Sequence, residues 1–244
     1  MKEIRRLFHK PKKSVGGSVI LDFDPTKGKP KPGFSNAPEE WQELRERHYK
    51  KWLGESENIL VWQEIMPVIP HVDIHVFPPL KELDRNFYTL ITSGMSDEKM
   101  TLPKKIDGQN ARAELVFYVS DVDIKPYQTE EPWYITSMRF LAHFPFDFKS
   151  WLAVSHTLPN GNPPTPVVEG SSLTTALFLT PIFEPKEFVQ DFKLGDEKVN
   201  FLWLTFLSNE ETEYKLVHGY NALVDKLNSD NMPQVFNPFR RSII

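Results

Sequence analysis

Residues 71–77 read His-Val-Asp-Ile-His-Val-Phe, with apolar and polar side chains alternating until Pro78-Pro79 stop the pattern. A period of two sends successive side chains to opposite faces of a strand, and a helix cannot satisfy it. This segment commits the chain to a sheet. Residues 87–92 read as a second strand and 114–119 as a third, with two more at 173–179 and 199–207. Residues 151–158 look extended, and 159–172, Pro-Asn-Gly-Asn-Pro-Pro-Thr-Pro-Val-Val-Glu-Gly-Ser-Ser, are a long loop. Helical spacing takes over elsewhere. Trp41, Leu44, His48 and Trp52 predict a helix over 38–54, opened by Asn36 and Glu39 as a capping box. Tyr134, Met138 and Leu141 predict another over 132–144, with Pro132 at its start and Pro145 beyond its end. Ser208 and Glu211 form a second capping box, opening one final helix with Leu216, Tyr220, Leu223 and Leu227 on a single stripe.

These elements come in clusters without regular strand–helix alternation. The fold class expected is therefore α+β: a mixed, mostly antiparallel sheet with packed helices. A dinucleotide fold is excluded by the order of elements and by the lack of a glycine-rich strand-to-helix turn. The 244 residues can bury a sizeable core, and eighteen Phe and six Trp fill it with large rings. The chain has no cysteine, which removes disulfide and thiol chemistry and suits a cytoplasmic location. The N-terminus lacks an apolar run of signal-peptide length, and no stretch reaches the roughly 18 apolar residues of a membrane span.

Charge divides the chain. Residues 1–35 hold nine Lys and Arg against Glu3, Asp22 and Asp24, a net +6 within a total of −4, which leaves −10 for the remainder. Residues 1–35 read as a basic arm and linker, 36–244 as a single domain. The arm is expected to be a solvated tail whose removal leaves the fold intact. Its weak point is Val19, Ile20 and Leu21, a triplet able to add an edge strand to the sheet. Aromatic residues do not alternate with its lysines as base-stacking would need, so neither nucleic acid nor a membrane is the expected partner.

Three motifs carry possible chemistry. Asp22-Phe-Asp24-Pro-Thr26 after an apolar run matches the nucleophile motif of haloacid-dehalogenase-type phosphatases. The required strand–helix alternation and later acidic magnesium motif are missing. His71, Asp73 and His75 share one strand face about 7 Å apart and could hold zinc or iron in a metal-dependent enzyme. The plainer reading is the polar face of a half-buried strand. No metal or other cofactor is expected, because no second cluster completes the set. Gly94-Met-Ser96-Asp-Glu98 starts like a nucleophile elbow, but Glu98 occupies the position of the second glycine and its carboxylate opposes an oxyanion. No catalytic residue is assigned.

The stretch Tyr88-Thr-Leu-Ile-Thr-Ser-Gly94-Met95-Ser96-Asp97 resembles the signature of the suppressor-of-fused family, a strand running into Gly-Leu/Met-Ser-Asp. Ala113-Glu-Leu-Val-Phe117, Trp133 to Phe146 with Trp151-Leu-Ala-Val-Ser-His156, and Val199 to Leu207 with Glu210-Glu211 resemble further family segments in the same order. The resemblance covers roughly 38–240 and is closer to the bacterial members. It implies a non-enzymatic protein-binding domain. In bacterial members it implies an immunity protein that neutralises a toxin, for which an acidic body suits a basic partner. The animal members carry a second, C-terminal domain for which this chain ends too soon. The partner-binding residues carried over are Tyr88, Gly94, Met95, Ser96 and Asp97. Gly94 is expected to take a positive φ, and Ser96 and Asp97 to stand at the strand exit, free to accept hydrogen bonds. A second reading has Ser96 and Asp97 closing the turn on the local backbone.

Overall fold

The structure is a computed structural model describing residues 12–106, 108–120 and 131–244. In chain order its strands are β1 (Lys12–Lys13), β2 (Val19–Ile20), β3 (Lys31–Pro32), β4 (Leu60–Trp62), β5 (Val68–Ile69), β6 (Asp73–Phe77), β7 (Phe87–Ser93), β8 (Arg112–Ser120), β9 (Thr157–Pro159), β10 (Leu173–Leu179), β11 (Lys193–Leu194) and β12 (Glu197–Ser208). The helices are α1 (Glu40–Leu53), α2 (Trp133–Asp147), α3 (Lys186–Gln190), α4 (Asn209–His218) and α5 (Tyr220–Ser229). The main sheet runs β4-β6-β7-β8-β12-β10-β9, with β11 paired to β12. Every pairing in it is antiparallel except β8 with β12, so the sheet is mixed and mostly antiparallel.

Strand alternation sorts the core into two layers. Val72, Ile74 and Val76, with Leu115, Phe117, Leu204 and Phe206, face α2 through Ile135, Met138 and Ala142. Phe77, Ile91, Val116, Tyr118 and Trp203 face the other way, against Tyr49 and Leu53 of α1, Phe188 of α3, and Leu223 and Leu227 of α5. The sheet is therefore covered on both sides. This corrects the half-buried reading of β6: the His75 side chain lies under α1, buried against Tyr49 with a ring separation of 6.1 Å.

Three helix ends differ from expectation. Asn36 and Glu39 form no capping box. Glu39 has helical backbone angles and no side-chain cap, while Ser35 Oγ takes the Ala37 N–H. Pro145 lies inside the last turn of α2 rather than beyond its end: it cannot donate to the Leu141 carbonyl, and the helix stops two residues later. The final helix is two helices. Gly219, at φ 92° and ψ 170°, ends α4 and starts α5 with backbone angles that interrupt the helix. The capping box at Ser208 and Glu211 forms as expected. Of the expected extended stretch 151–158, only its end belongs to a strand, and Ser155 takes a positive φ of 78°.

The described part of the basic arm lies on the domain. β2 pairs with β1 rather than with the main sheet, and β3 pairs with β5. Phe23 sits edge-on to Phe144 and Phe148 at 4.8 and 5.6 Å between ring centres. The Gly16 N–H donates to the Leu216 carbonyl at 2.7 Å. The Asp22–Thr26 motif closes on itself: Asp24 accepts from the Thr26 N–H and hydroxyl and caps a short 3-10 turn.

Candidate functional site

The exit of β7 is built around one carboxylate. Gly94 takes φ 112°, and a Cβ there would stand 2.0 Å from the His71 carbonyl oxygen, so only glycine lets the chain pass. Met95–Asp97 then form a 3-10 turn folded back against β8. Glu114, on β8 and wholly buried, receives that turn. It accepts the Gly94 N–H at 3.1 Å, the Ser96 N–H at 3.0 Å, the Ser96 hydroxyl at 2.5 Å and the Thr92 hydroxyl at 2.6 Å. Burial pushes the Glu114 carboxyl above its ordinary range, against the pull of Arg45 and of these hydrogen bonds.

Two arginines close the arrangement. Arg45, buried on α1, donates to Ser93 Oγ at 3.1 Å and grips both oxygens of Asp97. Burial disfavours its cation, but Glu114 and Asp97 outweigh that and raise its pKa. Arg112, on β8, donates to the carbonyls of Ser96 and Asp97 at 2.7 and 2.9 Å and to Glu197 at 2.6 Å, with its guanidinium 4.8 Å from the Trp41 ring centre. Lys99 adds a second ion pair to Glu197, and hydrogen bonds from Lys99 and Arg112 lower the Glu197 pKa. The result is a backbone turn held rigid from beneath, with Glu98 half-buried and Lys99 exposed on its rim.

This geometry revises the expected contacts. Met95 and Ser96 are fully buried, so neither is free at the strand exit: the left-handed Gly94 turns the chain inward, and Glu114 draws in its N–H groups. Asp97 keeps a small accessible area, but its carboxylate is occupied by Arg45. Tyr88 lies six residues back along β7, about 20 Å from Gly94 at strand spacing, and packs on the α2-side core. The structure therefore gathers Gly94, Met95, Ser96 and Asp97 and leaves Tyr88 at the far end. Arg45, Arg112 and Glu114 were missed. Their signal was a charged residue inside an apolar pattern: Arg45 between Trp41 and Tyr49 at four-residue spacing, and Glu114 inside Ala-Glu-Leu-Val-Phe. Such residues, when buried, must be paired.

The alternative metal face is not assembled. Asp73 takes the Glu64 N–H at 2.9 Å, with His71 3.4 Å away, while the buried His75 ring stacks near Phe77, and burial lowers its pKa. Among the described residues no three His, Asp or Glu are grouped to hold a metal ion. No helix among them is long and apolar enough to cross a membrane.

A family model described as Suppressor of fused protein (SUFU) matches residues 69–241. No curated protein matches the chain. Among solved structures, a protein described as a suppressor-of-fused homologue from Neisseria gonorrhoeae FA 1090 aligns at TM-score 0.56 and 20% identity, covering 85% of this chain and 98% of that one. A chain of the Sufu–Fu complex aligns at TM-score 0.56 and 12% identity, covering 88% and 93%. Drosophila Suppressor of Fused aligns at 0.53 and 16%, covering 91% of this chain and 54% of its own.

Proposed function

The chain belongs to the suppressor-of-fused family, and on that premise we propose that it is a non-enzymatic protein-binding domain acting in the cytoplasm as an immunity protein. Its partner in this reading is a basic toxin domain. A family protein has been captured with a protein partner, in the Sufu–Fu complex. The observation that carries the reading here is the turn at 94–97, locked from beneath by Glu114, Arg45 and Arg112. A surface whose backbone is fixed in advance loses little entropy on binding. The contacts assigned are Asp97 and its neighbour Glu98 on the rim, with Gly94, Met95 and Ser96 setting the shape. Tyr88 serves as a second, distant contact. The −10 carried outside the arm steers a basic partner toward the body.

The test is a titration of the purified chain with the toxin domain encoded beside it. Glu98→Ala should weaken binding about three- to tenfold and change stability by under about 0.5 kcal/mol, since a half-buried rim charge with no ion-pair partner among the described residues contributes little to folding. Unchanged affinity in Glu98→Ala, with saturable binding retained, would move the interface away from the turn. If no adjacent toxin-like protein binds, the immunity role fails.

A further inference from the structure

Two opposite charges are buried close together on the α1 side of the sheet without meeting. Thr89 of β7 and Tyr118 of β8 are direct partners in the strand register, so their side chains leave one face together, about 5 Å apart at the Cβ atoms. Each holds one charge. Arg85 Nη2 donates to the Thr89 hydroxyl at 2.5 Å, and the Tyr118 hydroxyl donates to Glu184 Oε2. Arg85 is 4% exposed and Glu184 8%. Neither forms an ion pair, with the other or with any of the described residues. Arg85 Nε and Glu184 Oε1 are both buried and have no hydrogen-bond partner. Burial lowers the Arg85 pKa against the pull of Glu184, and raises the Glu184 pKa against the Tyr118 hydroxyl and Arg85. An N–H and a carboxylate oxygen taken out of water and left unmatched are costly, so two of them at one spot mark a place where another molecule supplies the matching groups.

The surroundings limit what that molecule is. The Phe87 ring centre lies 5.8 Å from the Arg85 guanidinium carbon. Phe183, the residue before Glu184, packs on Phe87 at 4.5 Å and edge-on to Tyr118 at 4.9 Å between ring centres. Apart from the two charges and the two hydroxyls, these walls are aromatic. A simple anion would satisfy Arg85 and be repelled by Glu184, and a simple cation the reverse. A small zwitterion meets both charges and adds no net charge to a site whose own charges cancel. Phe87 and Tyr118 are buried, whereas Phe183, on the loop between β10 and α3, is 36% exposed, so the way in is past its ring. We propose that Arg85 and Glu184 form a binding site for a free α-amino acid with an uncharged side chain, its carboxylate on Arg85 and its ammonium on Glu184. A third charge among these rings would stay unpaired, which excludes charged side chains. The site lies on the opposite face of β7 from Tyr88 and does not depend on the function assigned to the 94–97 turn.

The test is isothermal titration calorimetry of the full 244-residue chain with glycine, which carries the two charged ends and no side chain. Saturable binding at millimolar concentration is expected. Acetate and methylammonium each lack one charged end and should bind about ten- to hundredfold more weakly. Glu184→Gln should weaken glycine about tenfold or more and leave acetate unchanged. Arg85→Gln should weaken glycine as much and leave methylammonium unchanged. A residue needed only for folding would not separate the two ends of the ligand in this way. If a variant fails to fold, as read by circular dichroism, the ranking of glycine over the two single-charge probes on the native chain still decides. Absence of saturable glycine binding overturns the proposal and leaves the two groups to water. So does acetate, methylammonium, lysine or glutamate binding as tightly as glycine, or a folded Glu184→Gln variant that binds glycine as the native chain does.

Discussion

Glu114 lies beneath the 94–97 turn with four neutral donors around it, two backbone N–H groups and two hydroxyls. Glu211, at the head of α4 and equally buried, is held by both prongs of Arg240 at 2.6 Å, by the Ser208 N–H at 2.9 Å and by the Ile243 N–H at 3.0 Å. The two sites use the same side chain for different work. At Glu211 an ion pair fastens the C-terminal segment to a helix cap, and its strength comes from opposite charges that lose heavily if separated. At Glu114 dipoles converge on one acceptor, and what they fix is the shape of three or four residues of backbone. The first is a fastening between distant parts; the second is a mould for a surface.

The strongest test of the mould is Gly94→Val. A β-branched side chain at φ 112° would drive its Cβ into the His71 carbonyl, with backbone on both sides unable to yield. No soluble folded protein should be recovered, as read by circular dichroism. A cooperative, near-normal melt would show that the turn can be rebuilt. Glu211→Ala should come next, at about 3–5 kcal/mol in urea unfolding, because it strands the buried Arg240 guanidinium. A loss under about 1 kcal/mol would mean that the fastening is not needed.

Asp97→Ala should cost about 1.5–3 kcal/mol, since Arg45 loses its charged acceptor. A value near zero would place Asp97 on the surface and outside the mould. The subtlest difference is in pH. Glu114 holds its proton more tightly in the fold than the ordinary carboxylate value of 4.5. Above 4.5, and up to its raised folded value, the folded state binds more protons than the unfolded one. Its contribution to stability is therefore complete below 4.5 and declines as pH rises through that window. Glu114→Gln has no proton to lose there. The stability of the native chain relative to Glu114→Gln should fall as pH rises above 4.5, and a flat or rising difference would contradict the assignment.

Local patterns made much of the scaffold legible. The period of two marked β6, and the run at 173–179 coincides with β10. Ser208 and Glu211 were readable because a capping box spans four residues and the partners are both in it. The same pattern at Asn36 and Glu39 failed because the helix begins after Glu39, leaving the glutamate as the cap position rather than the residue that reaches back to it. The break at Gly219 was hidden by a continuous apolar stripe, although glycine was the one residue in it able to take those angles. The turn was recognisable as a motif, but its orientation was not. Arg45 is separated from Asp97 by 52 residues, and Ser96 from Glu114 by 18, so what ties them is sheet order and the seat of α1. The exposure expected of Ser96 rested on its place in a strand exit, and the acceptor that turns it inward stands on the neighbouring strand.

The seam between Gly16 and Gly219 bears on how the chain is made. A Cβ on Gly16 would stand 2.4 Å from the Gly219 nitrogen, so the two backbones touch where the first hairpin meets the junction of α4 and α5. The two positions are separated by 203 residues. On a ribosome the hairpin is made well before its seat. The first hairpin therefore stays undocked while the sheet forms around β7 and β8, and it docks only once the α4–α5 junction has been made. A protease applied to nascent chains would cut near the first hairpin until that moment and be excluded afterwards. The timing of that protection reports completion of the fold.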